Sequence, residues 1–238
     1  MPSLDLPSGI RIRYDDRGPR DGRTVVLAHG FGVSLEMWMP QMRGLSERHR
    51  LITWDARGHG GSSAPTDVAS YDMPGLAADL RGLLDGLDAV EGAVIGGMSF
   101  GGMIALQYAV DHPADTTALI LSDSVTRGDG PIAEVGFTGD PGIDGARLAM
   151  VARPDLTSAL PGLAMPALLI VGDRDDRILD GLPRMTGPSG GLPRRRVVRL
   201  HGCSHGTSGQ RPDAWNAAVL RFLEDIEAGA PLGEDETV

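Results

Sequence analysis

This 238-residue sequence predicts an α/β protein: a mostly parallel central sheet of about eight strands with helices on both faces. Three observations carry that expectation. Strand-like apolar runs alternate with helix-like stretches along nearly the whole chain. Several of the runs, TVVLAHG (24–30) and PALLIVGD (166–173) among them, read as fully buried strands. One glycine-rich stretch, GGMSFGG (96–102), sits at a strand-to-helix junction and sets a single serine, Ser99, among four glycines.

In chain order, IRIRYDD (10–16) alternates with period two and reads as an early antiparallel strand. TVVLAHG is a buried strand ending at glycine, LEMWMPQMRGLSE (35–47) a short helix and RLITWD (50–55) the next strand. MPGLAADLRGLLDGLD (73–88) has leucine at helical spacing, with Pro74 tolerated in its first turn. GAVIGG (92–97) is a short strand, and GGMIALQYAVDHP (101–113) is an apolar helix stopped by Pro113. TTALILSD (116–123), PALLIVGD and RRRVVRLHG (194–202) are further strands, and PDAWNAAVLRFLEDIEA (212–228) is the closing amphipathic helix. Residues 124–146 are rich in Gly, Asp and Pro with little periodicity. In 181–193, Pro183, Gly187, Pro188 and Gly190 argue against a full helix.

The length suits one good core and is short for two. The expected organisation is therefore a single domain over 1–228, with its core in 1–123 and 164–228, and an acidic flexible tail over 229–238. A net charge of −10 argues against nucleic acid and anionic membranes as partners. Cys203 is the only cysteine, so no intrachain disulfide can form. No stretch reads as a signal peptide or a membrane span, which makes the cytoplasm the default location. Neither a cofactor nor a metal is called for by any motif. The expected partner is a small-molecule substrate, with monomer and homodimer both open.

Ser99 explains the glycines around it. Gly97-Met98-Ser99-Phe100-Gly101 matches the G-x-S-x-G elbow between a strand and a helix. Side chains two before and two after a residue in so tight a turn would collide with strand and helix, so both must be tiny. The turn then lifts one hydroxyl over the carboxyl edge of the sheet, beside the N-terminal N–H groups of a helix, which favour a developing anion. A serine hydroxyl needs a base, most often histidine. Of the six histidines, His49 and His112 read as surface residues, and His29 and His59 precede the serine in glycine-flanked loops. The order Ser, acid, His for this elbow favours His201 or His205 in LHGCSHG. His205 lies in the loop proper and is preferred. The acid belongs at a strand end between them, which leaves Asp123, Asp173, Asp175 and Asp176.

HGFG (29–32), DARGHGGS (55–62), GMSFGGM (97–103), MPALLIVGDRD (165–175) and GCSHG (202–206) together resemble the α/β-hydrolase superfamily, in the branch of small bacterial esterases and lactonases of the 3-oxoadipate enol-lactonase kind. The resemblance implies the α/β-hydrolase fold. It places the acid at the last residue of Gly172-Asp173-Arg174-Asp175, making Asp175 first choice and Asp123 the reserve. It implies an oxyanion hole from the backbone N–H groups of Phe31 and Phe100, gives His29 and the DARGHGGS loop a shaping role, and leaves Trp38 and Trp54 to the core. It lends Cys203 no chemistry.

One departure stands out. Such proteins insert a helical cap between the strands ending here at Asp123 and starting near Pro166. In this chain 146–163 reads as a lead-in helix, so only 124–145 remain for a cap, which is nearly absent. The leading expectation is a serine hydrolase of an ester, thioester or lactone. The alternatives are acyl elimination or cyclisation by the same residues in secondary metabolism, and a ligand receptor without chemistry.

Overall fold

The computed structural model describes residues 1–126, 136–188 and 190–238; residues 127–135, in the stretch left for a reduced cap, lie outside it. Among the described residues nine strands form one sheet: β1 (Ser3–Asp5), β2 (Arg11–Arg17), β3 (Thr24–Ala28), β4 (Arg50–Trp54), β5 (Val94–Met98), β6 (Ala118–Ser122), β7 (Ala167–Gly172), β8 (Arg195–Leu200) and β9 (Glu236–Thr237), in the order β1-β2-β4-β3-β5-β6-β7-β8-β9. The β1–β2 and β2–β4 pairs are antiparallel and all the others parallel. The short outermost strands β1 and β9 were not among the expected ones.

The central strands alternate between two helix layers, as a sheet buried on both faces requires. Val26, Ile52, Ile95, Leu119 and Leu169 pack with α2 (Met73–Gly86) and α3 (Phe100–Asp111). Their neighbours Val25, Leu51, Val94, Ile120 and Leu168 pack with α1 (Met39–Leu45) and α7 (Pro212–Glu227), where Trp38 and Trp215 meet with ring centroids 5.5 Å apart. Trp38 and Trp54 are both fully buried. Register then aligns the carboxyl ends of the strands: Ala28 opposite Gly97, Met98 opposite Ser122, and Gly172 opposite Leu200. Every loop that follows these ends opens on one edge of the sheet, where ligands of such sheets gather. No helix among the described residues is long and apolar enough to cross a membrane.

Four local expectations need correction. First, α4 (Pro141–Ala152) begins inside the stretch left for a cap. Asp140 caps it, accepting from Gly142 and Ile143 N–H, and Gly142 and Gly145 let it lie directly on Gly58 and the Tyr71 ring. Second, α5 (Asp176–Thr186) forms despite Pro183. It starts earlier than the proline- and glycine-rich stretch suggested, and it buries Ile178, Leu182 and Met185 at helical spacing. The ring of Pro183 costs one backbone hydrogen bond, and packing outweighs that loss over the last turn.

Third, the acidic C-terminal segment is docked rather than loose. β9 pairs with β8, Val197 N–H donates to Asp235, and His201 N–H donates to the Val238 carbonyl. The anchor is Arg196, whose side chain is buried and paired with Glu236 at 2.5 Å and Asp225 at 3.5 Å. Removing a partner from a buried charge is costly. Because Asp225 still faces the guanidinium, Glu236→Ala is expected to cost about 1.5 kcal/mol in urea denaturation; an unchanged midpoint would show the segment undocked.

Fourth, His49 is buried rather than on the surface, with neither ring nitrogen bonded, and the turn at Gly18 (φ +91°) packs on its backbone carbonyl. His29 and His59 are buried too. Desolvation of the charged form holds all three below their ordinary value, His59 at about 3. Each therefore takes up a proton on unfolding at mildly acid pH. Their contribution is complete above the unfolded value of 6.5 and is lost as pH falls toward the folded value. Stability should decline steadily below about pH 6.5. In His59→Gln the slope should flatten by up to about 1.4 kcal/mol per pH unit. Identical slopes in urea titrations of the two proteins would contradict this.

Candidate active site

The strand-to-helix turn holds Ser99 at φ +53°, ψ −111°, a conformation that L-residues rarely adopt and that persists only where the surroundings over-determine it. Here they do. Ser99 N–H donates to the Ser122 carbonyl at 2.8 Å, and its own carbonyl accepts from Met103 N–H and Ser124 Oγ. The flanking glycines are sterically required. A Cβ on Gly97 would strike the Gly101 backbone, and one on Gly101 would strike the Ala28 carbonyl. Gly101 thus also lets α3 press against the end of β3, where the His29–Gly32 loop begins.

His205 follows β8, in the loop before the short helix α6 (Thr207–Gln210). Asp175 follows β7 at the start of α5. These two loops converge because Gly172 has no side chain; a Cβ there would strike the Cys203 carbonyl. Arg174 N–H donates to that same carbonyl at 2.8 Å. His205 Nδ1 lies 2.6 Å from Asp175 Oδ2 and Nε2 lies 2.9 Å from Ser99 Oγ. A carboxylate only accepts, so Nδ1 carries the proton and Nε2 is left to accept from the serine hydroxyl. The structure therefore brings Ser99, His205 and Asp175 into one hydrogen-bonded line.

Asp123, the reserve acid, does not touch the imidazole. It is fully buried in a left-handed conformation (φ +47°), and Oδ2 accepts from Thr207 N–H at 2.8 Å and Thr207 Oγ1–H at 2.7 Å. Behind Thr207 a directed chain of donors runs from Trp215 Nε1–H to Ser122 Oγ and from Ser122 to Thr207. Burial raises the Asp123 carboxyl above its ordinary range against the pull of the Thr207 bonds. Its place is under the loop that carries His205. The other acids are elsewhere: Asp173 pairs with exposed His201 at 2.7 Å, and Asp176 is exposed at the start of α5. Cys203 is buried, and burial raises its thiol.

Phe31 lies in the loop after β3, and Phe100 is the first residue of α3, next to Ser99. No acceptor among the described residues is placed on either backbone N–H. Phe100 N–H belongs to the open first turn of α3, where no intrahelical partner exists. Phe31 is held from both sides. His29 Nδ1–H donates to the Gly30 carbonyl at 2.7 Å, and His59 Nε2 accepts from Gly32 N–H at 3.1 Å. His29 Nε2 in turn accepts from Ala56 N–H, which ties the loop to the strand end at β4. The rings of Phe31 and Phe100 meet edge-on at 6.2 Å.

A cleft of about 370 Å³ opens over Ser99 and His205. Its walls are apolar at Phe31, Val33, Met37, Met98 and Met150, with two arginines, Arg147 and Arg177. Sequence reasoning missed both arginines and Met150. The available signal is Arg147 inside the apolar run GARLAM, at the start of the stretch that reads as a lead-in helix. Because α4 supplies Arg147 and Met150, the segment between β6 and β7 does furnish a wall of the pocket. Among the described residues no cluster of His, Cys, Asp or Glu side chains is placed to hold a metal.

Comparison with known proteins agrees with this architecture. The family model for the alpha/beta hydrolase fold matches residues 23–141. The esterase from Thermogutta terrifontis superposes with a TM-score of 0.81 at 26% identity, covering 94% of this chain and 98% of that one. The enol-lactonase from Burkholderia xenovorans gives 0.80 at 25% identity, covering 94% and 100%. A non-heme chloroperoxidase from Streptomyces lividans is 39% identical over 127 residues, 52% of this chain and 45% of that protein. A polyketide synthase from Burkholderia thailandensis aligns with 97% of this chain at 29% identity, over 13% of its own length. The chain spans less than half the length of the curated relatives it matches. With half of its residues matched by the family model, and with the sheet order and elbow described above, the chain belongs to the α/β-hydrolase fold family.

Proposed function

We propose that the chain is a serine hydrolase that cleaves an ester, thioester or lactone through an acyl-enzyme. The observation that carries this reading is the unbroken line Ser99 Oγ, His205, Asp175 at 2.9 and 2.6 Å, ending on a serine held at φ +53°. As Ser99 Oγ attacks the substrate carbonyl, its proton passes to His205 Nε2. Asp175 keeps the imidazole in the required tautomer and stabilises the imidazolium. The oxyanion that develops on the carbonyl oxygen is met by the Phe31 and Phe100 N–H groups, which no acceptor among the described residues occupies and which the N-terminus of α3 backs. The C–O or C–S bond then breaks, and the leaving alcohol or thiol takes the proton from Nε2. A water molecule, deprotonated by the same nitrogen, attacks the acyl-serine and releases the acid.

The apolar walls of the cleft suit the carbon chain of an acyl group. The solved neighbours named as an esterase and an enol-lactonase put esters and lactones first among the compounds to try.

A panel of 4-nitrophenyl esters and simple lactones tests the reading. Ser99→Ala is expected to lower kcat by a factor on the order of 10⁴–10⁶, and Asp175→Asn by on the order of 10⁴. Asp123→Asn should cost far less, because an amide oxygen can still accept from Thr207 and the imidazole is untouched. Near-native turnover in Ser99→Ala would sink the mechanism. A dead Asp123→Asn beside an active Asp175→Asn would move the acid to Asp123.

A further inference from the structure

The walls of the cleft carry two positive charges that the chemistry above does not use, in a protein whose net charge is −10. Arg147, on α4, is 5% exposed and lies with its guanidinium 4.1 Å over the ring of Phe137. Its buried Nε has no hydrogen-bond partner. The acid one turn earlier, Asp144, is occupied elsewhere: it accepts from Thr138 N–H at 2.7 Å, Thr138 Oγ1 at 3.1 Å and Gly139 N–H at 2.9 Å. Arg177, in the first turn of α5, is exposed and two residues from Asp175, whose carboxylate is held by His205. Among the described residues no carboxylate is placed on either guanidinium.

The Arg147 charge helps to lower the Asp144 carboxyl, yet that carboxylate spends its hydrogen bonds on Thr138 and Gly139 and gives the guanidinium none. A buried guanidinium so poorly bonded is expensive, since buried polar groups are otherwise bonded almost without exception. A group left in that state on the wall of a reaction cleft is explained if a ligand completes it. Guanidinium is the side chain best shaped for carboxylate and phosphate oxygens, because its donors form a planar fork. Stacking on Phe137 leaves the edges of that fork free.

We propose that the Ser99 cleft selects acyl compounds bearing an anionic group, a carboxylate or a phosphate, which Arg147 and Arg177 bind while the apolar walls take the carbon chain. This rests on the hydrolase reading above and names its substrate class.

Matched substrate pairs test it and locate the anion. One pair sets mono-4-nitrophenyl glutarate, with a carboxylate on the acyl side, against 4-nitrophenyl butyrate. The other sets a butyryl thioester of coenzyme A, with phosphates on the leaving side, against the neutral N-acetylcysteamine thioester. In at least one pair kcat/KM for the anionic member should exceed that of its partner by about ten-fold or more, the worth of one charge-assisted contact. The ratio should fall about ten-fold in Arg177→Met and in Arg147→Met, and Arg147→Lys should recover part of it. It should also shrink when ionic strength is raised to about 0.5 M. Ser99-dependent turnover with no preference in either pair overturns this inference and leaves the hydrolase reading standing. If no substrate is turned over, calorimetric titration with glutarate and with inorganic phosphate still reads the arginines directly. Binding that both methionine variants abolish, in proteins with native circular dichroism, supports the site; no binding of either anion overturns it.

Discussion

A serine held at positive φ at the tip of a strand-to-helix turn is the constraint on which the rest of the molecule depends. Such a conformation costs on the order of 1–3 kcal/mol, and nothing in an isolated turn would maintain it. Ser99 is kept there by a backbone hydrogen bond to β6, by a carbonyl that two further donors hold, and by the absence of side chains at Gly97 and Gly101. The two glycines clear different neighbours: Gly97 makes room for the Gly101 backbone, and Gly101 for the Ala28 carbonyl. Gly101 does a second thing by bringing α3 onto the end of β3, so the nucleophile and the Phe31 loop are set against each other by one contact.

Once that turn is made, parallel register does most of the remaining positioning. The strand ends at Ala28, Met98, Ser122, Gly172 and Leu200 lie along one edge, so five loops of very different sequence share one small volume. Each is then locked by polar groups rather than by bulk. Asp123 and Thr207 pin the loop that delivers His205, Gly172 admits the Cys203 carbonyl, and His29 and His59 clasp the Gly30–Gly32 backbone. The two clasping histidines are neutral because they are buried, and that neutrality is what lets one of their nitrogens accept an N–H. The same burial that fixes the site thus makes the fold acid-sensitive.

Much of this was legible in the residues because it follows from local necessity. Only a βα turn explains glycines at two before and two after Ser99, and His205 stood out as the histidine placed in the loop after the last long strand. The choice between Asp175 and Asp123 was not legible in the residues alone. Both follow a buried strand, and only the three-dimensional path of the His205 loop shows that one meets the ring while the other meets Thr207. The prolines and glycines of 181–193 hide α5, because packing of Ile178, Leu182 and Met185 carries the helix through Pro183. Arg147 stayed hidden for a similar reason: whether a helical arginine faces solvent or a cleft depends on how α4 seats on Gly58 and Tyr71, which are remote in sequence.

The central claim is that this geometry makes Ser99 a nucleophile with His205 as its base. Reaction of the folded protein with an alkyl fluorophosphonate, followed by peptide mass mapping, tests it most directly. A single adduct on Ser99 is predicted, formed rapidly in the native protein and lost, or slowed by orders of magnitude, in His205→Gln. No adduct on the folded chain, or labelling of Ser99 at the same rate without His205, would contradict the claim.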